Sequence, residues 1–99
     1  MKAFETLTIS STAIGLTPNI YSKNNGLEMC NKATILVEDA NIRYRVDGGN
    51  PTSTLGLLAN NGDVISLIGR SELKLFRAIR EAAADATITC DYGVSNEVQ

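Results

Sequence analysis

The segment Ile42-Arg43-Tyr44-Arg45-Val46-Asp47 alternates apolar and charged side chains without a break. A period of two puts Ile42, Tyr44 and Val46 on one face of an extended strand and Arg43, Arg45 and Asp47 on the other. A chain with such a segment is committed to a sheet that is dry on one side and wet on the other. The same alternation appears twice more. Leu7 and Ile9 alternate with Thr6, Thr8 and Ser10, and Ile88, Cys90 and Tyr92 alternate with Thr87, Thr89 and Asp91. Residues 33–38 and 64–68 are short, β-forming apolar runs. Dense turn formers separate these segments: residues 17–25 with Pro18 and Asn19, then Asp47-Gly48-Gly49-Asn50-Pro51, then Asn60-Asn61-Gly62-Asp63. The short link Glu38-Asp39-Ala40-Asn41 predicts an antiparallel hairpin between residues 33–38 and 41–47.

Residues 71–86 fit two patterns. As a helix capped by Ser71, Leu75, Phe76, Ile79, Ala82 and Ala83 share a stripe. As a strand, Leu73, Leu75, Arg77 and Ile79 share one face while Phe76 and Ala78 share the other. Local propensity favours the helix. With either choice the expected fold is all-β. It is a single antiparallel β-sandwich over residues 1–99, a jelly roll being one form of it, with at most one short helix and a solvated tail at 95–99. Its expected inward set is Leu7, Ile9, Ile35, Val37, Ile42, Tyr44, Val46, Ile65, Leu67, Phe76, Ile88, Cys90 and Tyr92.

Composition removes several classes of function. The 99 residues include no histidine, which excludes His-based triads and imidazole metal sites. A net charge of -2 argues against nucleic acid as the main partner. No run approaches the ~18 apolar residues of a membrane span. The first eleven residues lack a signal-peptide core, so synthesis in a cytosol is expected. Two distant cysteines make no disulfide framework there; Cys90 reads as a small core hydrophobe and Cys30 as a loop thiol.

One ordered set of residues carries a resemblance. Arg43, Arg45, Asp47, Gly48, Pro51, Thr52 and Gly56 are followed by Gly62-Asp63, an aliphatic run, Phe76-Arg77 with Ile79, and a final strand ending near Tyr92. This order resembles small β-sandwich structural proteins of tailed bacteriophages, over residues 33–92. The resemblance implies a virion component made in the host cytoplasm: a capsid decoration or cement protein, or a head–tail accessory. Its implied partners are capsid or tail proteins, with self-assembly into a trimer or ring. It also implies that residues 73–80 run as a strand. Glu81-Ala82-Ala83-Ala84-Asp85 departs from the family pattern, which is Gly-rich there, and this departure points to a helical turn at 81–85. Two alternatives stand beside it: a carbohydrate- or receptor-binding module of a tail or fibre, and a phage-encoded inhibitor of a host protein.

No cofactor, metal or catalytic set is expected. Gly48-Gly49 and Gly62 form no phosphate-cradling pattern, and Ser10-Ser11-Thr12 has no base to activate a hydroxyl. Asp47 and Asp63 read as turn aspartates without calcium-loop spacing. A carboxylate pair for glycoside hydrolysis, formed by Glu38 or Asp39 with Asp47, wants a cleft that so short a chain has little room for. Tyr21, Tyr44 and Tyr92 are few for a stacking platform; Tyr44 and Tyr92 are expected in the core with hydroxyls at the rim. The candidate interface is Arg43, Arg45, Arg77 and Arg80. Their charge would meet a partner if residues 73–80 lie beside the Arg43 strand, and otherwise protects a solvated strand face from edge pairing.

Overall fold

A computed structural model describes residues 3–17 and 30–94. Among the described residues there are eight strands: β1 (Ala3–Ile9), β2 (Ile14–Gly15), β3 (Lys32–Glu38), β4 (Ile42–Arg45), β5 (Leu57–Ala59), β6 (Val64–Ile68), β7 (Arg77–Arg80) and β8 (Ala86–Gly93). One short helix, α1 (Arg70–Leu75), lies between β6 and β7. The strands form two four-stranded sheets, ordered β1-β8-β3-β6 and β2-β7-β4-β5. All pairs are antiparallel.

The pairing has a simple rule. β1 bonds β8, β2 bonds β7, β3 bonds β6 and β4 bonds β5. A chain folded back on itself into one long ribbon makes these pairs. Rolling the ribbon adds β3–β8 and β4–β7 and closes it into two layers. The fold is therefore the jelly-roll form of the sandwich. At one end of the first sheet, Ala3 sits opposite Tyr92.

The core lies between the layers, where alternation placed it. Ile9, Ile35, Val37, Ile65, Leu67, Ile88, Cys90 and Tyr92 come from the first sheet; Ile42, Ala59 and Ala78 come from the second, with Phe76 just before β7. Leu73 of α1 closes one side. Each large side chain so buried contributes roughly 1.5–3 kcal/mol. Leu7, Tyr44 and Val46 are only half-buried against this core. The Tyr44 and Phe76 rings stand 5.6 Å apart.

Several local expectations need correction. The link at 39–41 does not close a hairpin: β3 and β4 lie in different sheets, and the link carries the chain from one layer to the other. Asp39 takes a φ of 75° there, a left-handed position that a short polar residue tolerates. The alternation was real, but it specifies which face is buried and not which strand lies alongside.

Residues 71–86 are neither one helix nor one strand. Leu73 and Phe76, both buried, are three apart, which suits a helical turn; Phe76 and Ala78, also buried, are two apart, which suits a strand. The backbone switches at Phe76, which is extended. The helix is capped by Gly69 rather than Ser71, with no side-chain cap bond. Residues 81–84 are bends, not a helical turn.

Cys30 lies in a loop, outside every strand, but its thiol is buried. The Tyr92 hydroxyl is not at the rim but donates to the buried Glu5 carboxylate. β2 and β5 were not anticipated at all: two and three residues are too short to show a period. The expected tail at 95–99, Tyr21 and most of the expected loop at 17–25 lie outside the described residues.

Candidate functional site

Register decides what becomes of the four arginines. β4 and β7 pair Arg45 with Arg77 and Arg43 with Ile79, so Arg43, Arg45 and Arg77 share the outer face of the second sheet. The same register sets Arg80 opposite the buried Ile42, on the inward side at the end of the strand. Three of the four are thus brought together, and Arg80 is not.

Each of these side chains is engaged within the molecule. Arg43 Nη1 donates to the Gly56 carbonyl at 3.0 Å. Arg45 makes a two-bond pair with Asp47, whose Oδ1 also accepts the Gly49 N–H. Arg77 donates from Nε to Asn50 Oδ1 and from Nη2 to the Ala13 carbonyl. Arg80 bonds Asp85 at 2.6 Å. The hydrogen bond from Arg45, then that from Gly49, holds the Asp47 carboxyl below its ordinary value; the same pair raises Arg45.

Most partners of the outer three lie in one segment. Asp47, Asn50 and Gly56 belong to residues 46–56, the long connection from β4 to β5, while the Ala13 carbonyl, bonded by Arg77, lies outside it. The outer arginines therefore brace this loop across the face of the second sheet. Further bonds complete the brace. The Gly48 N–H donates to the Leu75 carbonyl, and Thr52 Oγ1 accepts the Thr54 and Leu55 N–H groups. Pro51, within the loop, is buried. Gly56 has a φ of +130°, and a Cβ there would stand 3.1 Å from the Tyr44 carbonyl oxygen, so glycine is required. The residues that carried the resemblance from Arg43 to Gly56 are thus the ones that build this loop.

Two concavities adjoin it. One, of about 390 Å³, lies where Thr52 and Ser53 face Ile79, Arg80, Glu81, Ala82 and Ser11. The other, about 260 Å³ and mostly apolar, is a shallow depression lined by Tyr44, Val46, Gly56 and Leu57 together with Arg45 and Asp47.

Exposed apolar surface is unevenly placed. β5 and β6 are the edge strands of the two sheets, and the turn at 60–63 joins them, so both edges lie on one flank. Leu55, Leu57, Leu58, Val64 and Ile68 are exposed there, and Leu75 sits on the neighbouring helix. On the opposite flank, formed by β1 and β2, Phe4 is exposed.

The remaining candidates have structural partners. Asp63 accepts the Asn60 N–H, and Glu38 accepts the Thr89 hydroxyl. Burial pushes the Cys90 thiol up to about 12, so it is protonated and unreactive at neutral pH. Among the described residues no group of three or more Cys, Asp or Glu is placed to hold a metal ion. No described helix is long and apolar enough to cross a membrane.

Sequence reasoning passed over Glu5. This carboxylate is buried and accepts three bonds, from the Thr17 N–H, the Thr17 hydroxyl and the Tyr92 hydroxyl. The signal was present, because Glu5 falls in the inward phase of Leu7 and Ile9. Burial and the bond to Glu5 both raise the Tyr92 hydroxyl above its ordinary value.

No family model, curated protein or solved structure matches this chain.

Proposed function

We propose that this chain is a non-enzymatic structural protein of a bacteriophage virion, a capsid decoration or head–tail accessory component that works by protein–protein contact. The observation that carries this reading is the braced loop 46–56 on a jelly roll. Jelly rolls recur among viral capsid and lectin domains, and fold alone does not select a function. Here the residues that resemble a phage structural-protein pattern hold a surface loop in one shape, a use suited to docking rather than to chemistry. Arg43, Arg45 and Arg77 then act on the interface through the loop they hold, and the crown at Thr52, Ser53 and Leu55 touches the capsid or tail partner. Host-cytoplasmic synthesis and residence on the particle follow from the same reading. Density-gradient-purified particles from producing cells should contain the chain at fixed stoichiometry by mass spectrometry. Its recovery solely in the particle-free fraction would overturn the proposal.

The hydroxyl-rich concavity beside Thr52 and Ser53 favours a second reading, a carbohydrate-recognising module. Ser11, Thr52, Ser53, Arg80 and Glu81 offer donors and acceptors for a sugar, but no aromatic ring lines the site. A glycan array decides it: selective hits that weaken in Ser53→Ala support it, and a blank array removes it.

A further inference from the structure

The register sorts the charged side chains by the end of the sandwich at which they stand. Lys32 pairs with Ile68 and with Gly93, so the start of β3 and the ends of β6 and β8 share one end, next to α1. Glu38 pairs with Thr87, and Ile42 with Arg80, so the links at 39–41, 60–63 and 81–85 gather at the other. The Asn61 N–H donates to Asn41 Oδ1 and the Glu81 N–H to the Asn41 carbonyl, which ties these three links together.

The end that holds the three links is acidic. Glu38, Asp39, Asp63, Glu81 and Asp85 stand there with a single cation, Arg80, which is paired to Asp85. The end at α1 is basic. Lys32, Arg70 and Lys74 are all exposed there, the last two one helical turn apart. Among the described residues none of these three is in an ion pair. Glu72 of the same helix is turned back to the Ile68 N–H, and Asp47 is held by Arg45. Arg77 adds one more cation at this end and Asp91 one more carboxylate. Cations thus exceed carboxylates by two at the α1 end, and carboxylates exceed cations by four at the other. The charged residues outside the described set, Lys2, Lys23, Glu28 and Glu97, are two of each sign.

Opposite charge at the two ends of one chain selects the occupant of both. The basic end of a second copy complements the acidic end of the first, and the same kind of partner then satisfies the first copy's basic end. Each end also offers apolar surface among its charges. Ile68 and Leu75 are exposed beside Lys32, Arg70 and Lys74, and the run Ala82-Ala83-Ala84 is exposed between Glu81 and Asp85. An apolar centre inside a polar rim is the ordinary anatomy of a protein–protein contact. A two-fold axis through either end would set like charges face to face, so the contact joins two different surfaces and repeats from copy to copy.

We infer that copies of this chain associate end to end, the α1 end of one seated on the end of the next that carries the links at 39–41 and 81–85. Because the two surfaces lie at opposite ends of the strands, the product is an open stack. This does not depend on the virion reading.

Sedimentation velocity and light scattering at about 0.02 M and about 0.5 M NaCl test it. At low salt the mean mass should climb with concentration beyond that of a dimer, with a Kd per contact of about 10–100 μM. At high salt that Kd should rise at least about tenfold. Two variants blunt the ends separately: Asp39→Asn with Glu81→Gln, and Arg70→Gln with Lys74→Gln. Each alone should weaken self-association at least about tenfold and leave circular dichroism and the thermal midpoint unchanged. Mixed together, the first supplies an intact basic end and the second an intact acidic end. The mixture should form a 1:1 dimer with the parent's affinity and grow no further. Neutralising two carboxylates takes the first variant's net charge from -2 to zero, so attraction between whole molecules cannot produce that dimer. A protein monomeric to about 1 mM at low salt, association indifferent to salt, or a mixture no more associated than its components would overturn the inference. The particle-association experiment is unaffected by any of these results, so the two proposals fail separately.

Discussion

Glu5 places a carboxylate inside a sheet, where it is stabilised only by the donors that reach it. The Tyr92 hydroxyl comes from the neighbouring strand, and both Thr17 donors come from the chain beyond β2. Tyr92→Phe removes one bond to a carboxylate and keeps the ring. It should cost about 1.5–3 kcal/mol of unfolding free energy, read from urea titrations. Two neighbouring groups set an alkaline limit. The Cys90 thiol is pushed up from 9.0 to about 12 by burial, and Tyr92 rises from 10.0 in the same direction. Both stay neutral in the folded chain while the unfolded chain ionises, so base favours unfolding. Their contribution is fully present below pH 9 and is lost as pH climbs toward 12. Urea midpoints measured across this window should fall steadily. In Cys90→Ala the fall should begin later, near the ordinary tyrosine value of 10.0.

At the scale of elements, periodicity and pairing proved to be separate kinds of information. Alternation located β1, β4 and β8, short apolar runs located β3 and β6, and together they picked most of the buried residues of these strands. It could not assign neighbours, because a strand presents the same dry face whichever strand lies beside it. The link at 39–41 looked like a hairpin turn and is a crossing between layers. The arginine site was legible in part for the same reason. Alternation put Arg43 and Arg45 on the outer face, but their side-chain destinations depend on a loop whose path no period encodes. The helix–strand switch at Phe76 was hidden because each half of residues 71–80 satisfies a different period.

Two substitutions test the elements directly. Gly56→Ala sets a Cβ 3.1 Å from the Tyr44 carbonyl oxygen at a φ of +130°. It should cost about 1–3 kcal/mol and speed amide exchange across the loop. Asp39→Val places a β-branched residue at a φ of 75°. Its expected cost is about 1–2 kcal/mol by urea titration.

For the whole molecule, cohesion lies between the layers rather than on the surface. Among the described residues the ion pairs are Arg45–Asp47 and Arg80–Asp85, both partly exposed. Raising NaCl from about 0.05 to about 1 M should therefore change the unfolding free energy by less than about 1 kcal/mol. A larger loss in salt would mean that charge, and not the apolar interior, holds the sheets together.

Ala3 and Tyr92 are laddered neighbours, so the first strand and the last finish side by side. Such a molecule has no mechanical need for its chain to start where it does. A circular permutant, spliced through a short linker between residues 94 and 3 and opened in the exposed run Ala82-Ala83-Ala84, keeps every rung of both ladders. It also lets the whole body be inserted as a cassette into a surface loop of another protein, since host and guest need agree only on one narrow gap.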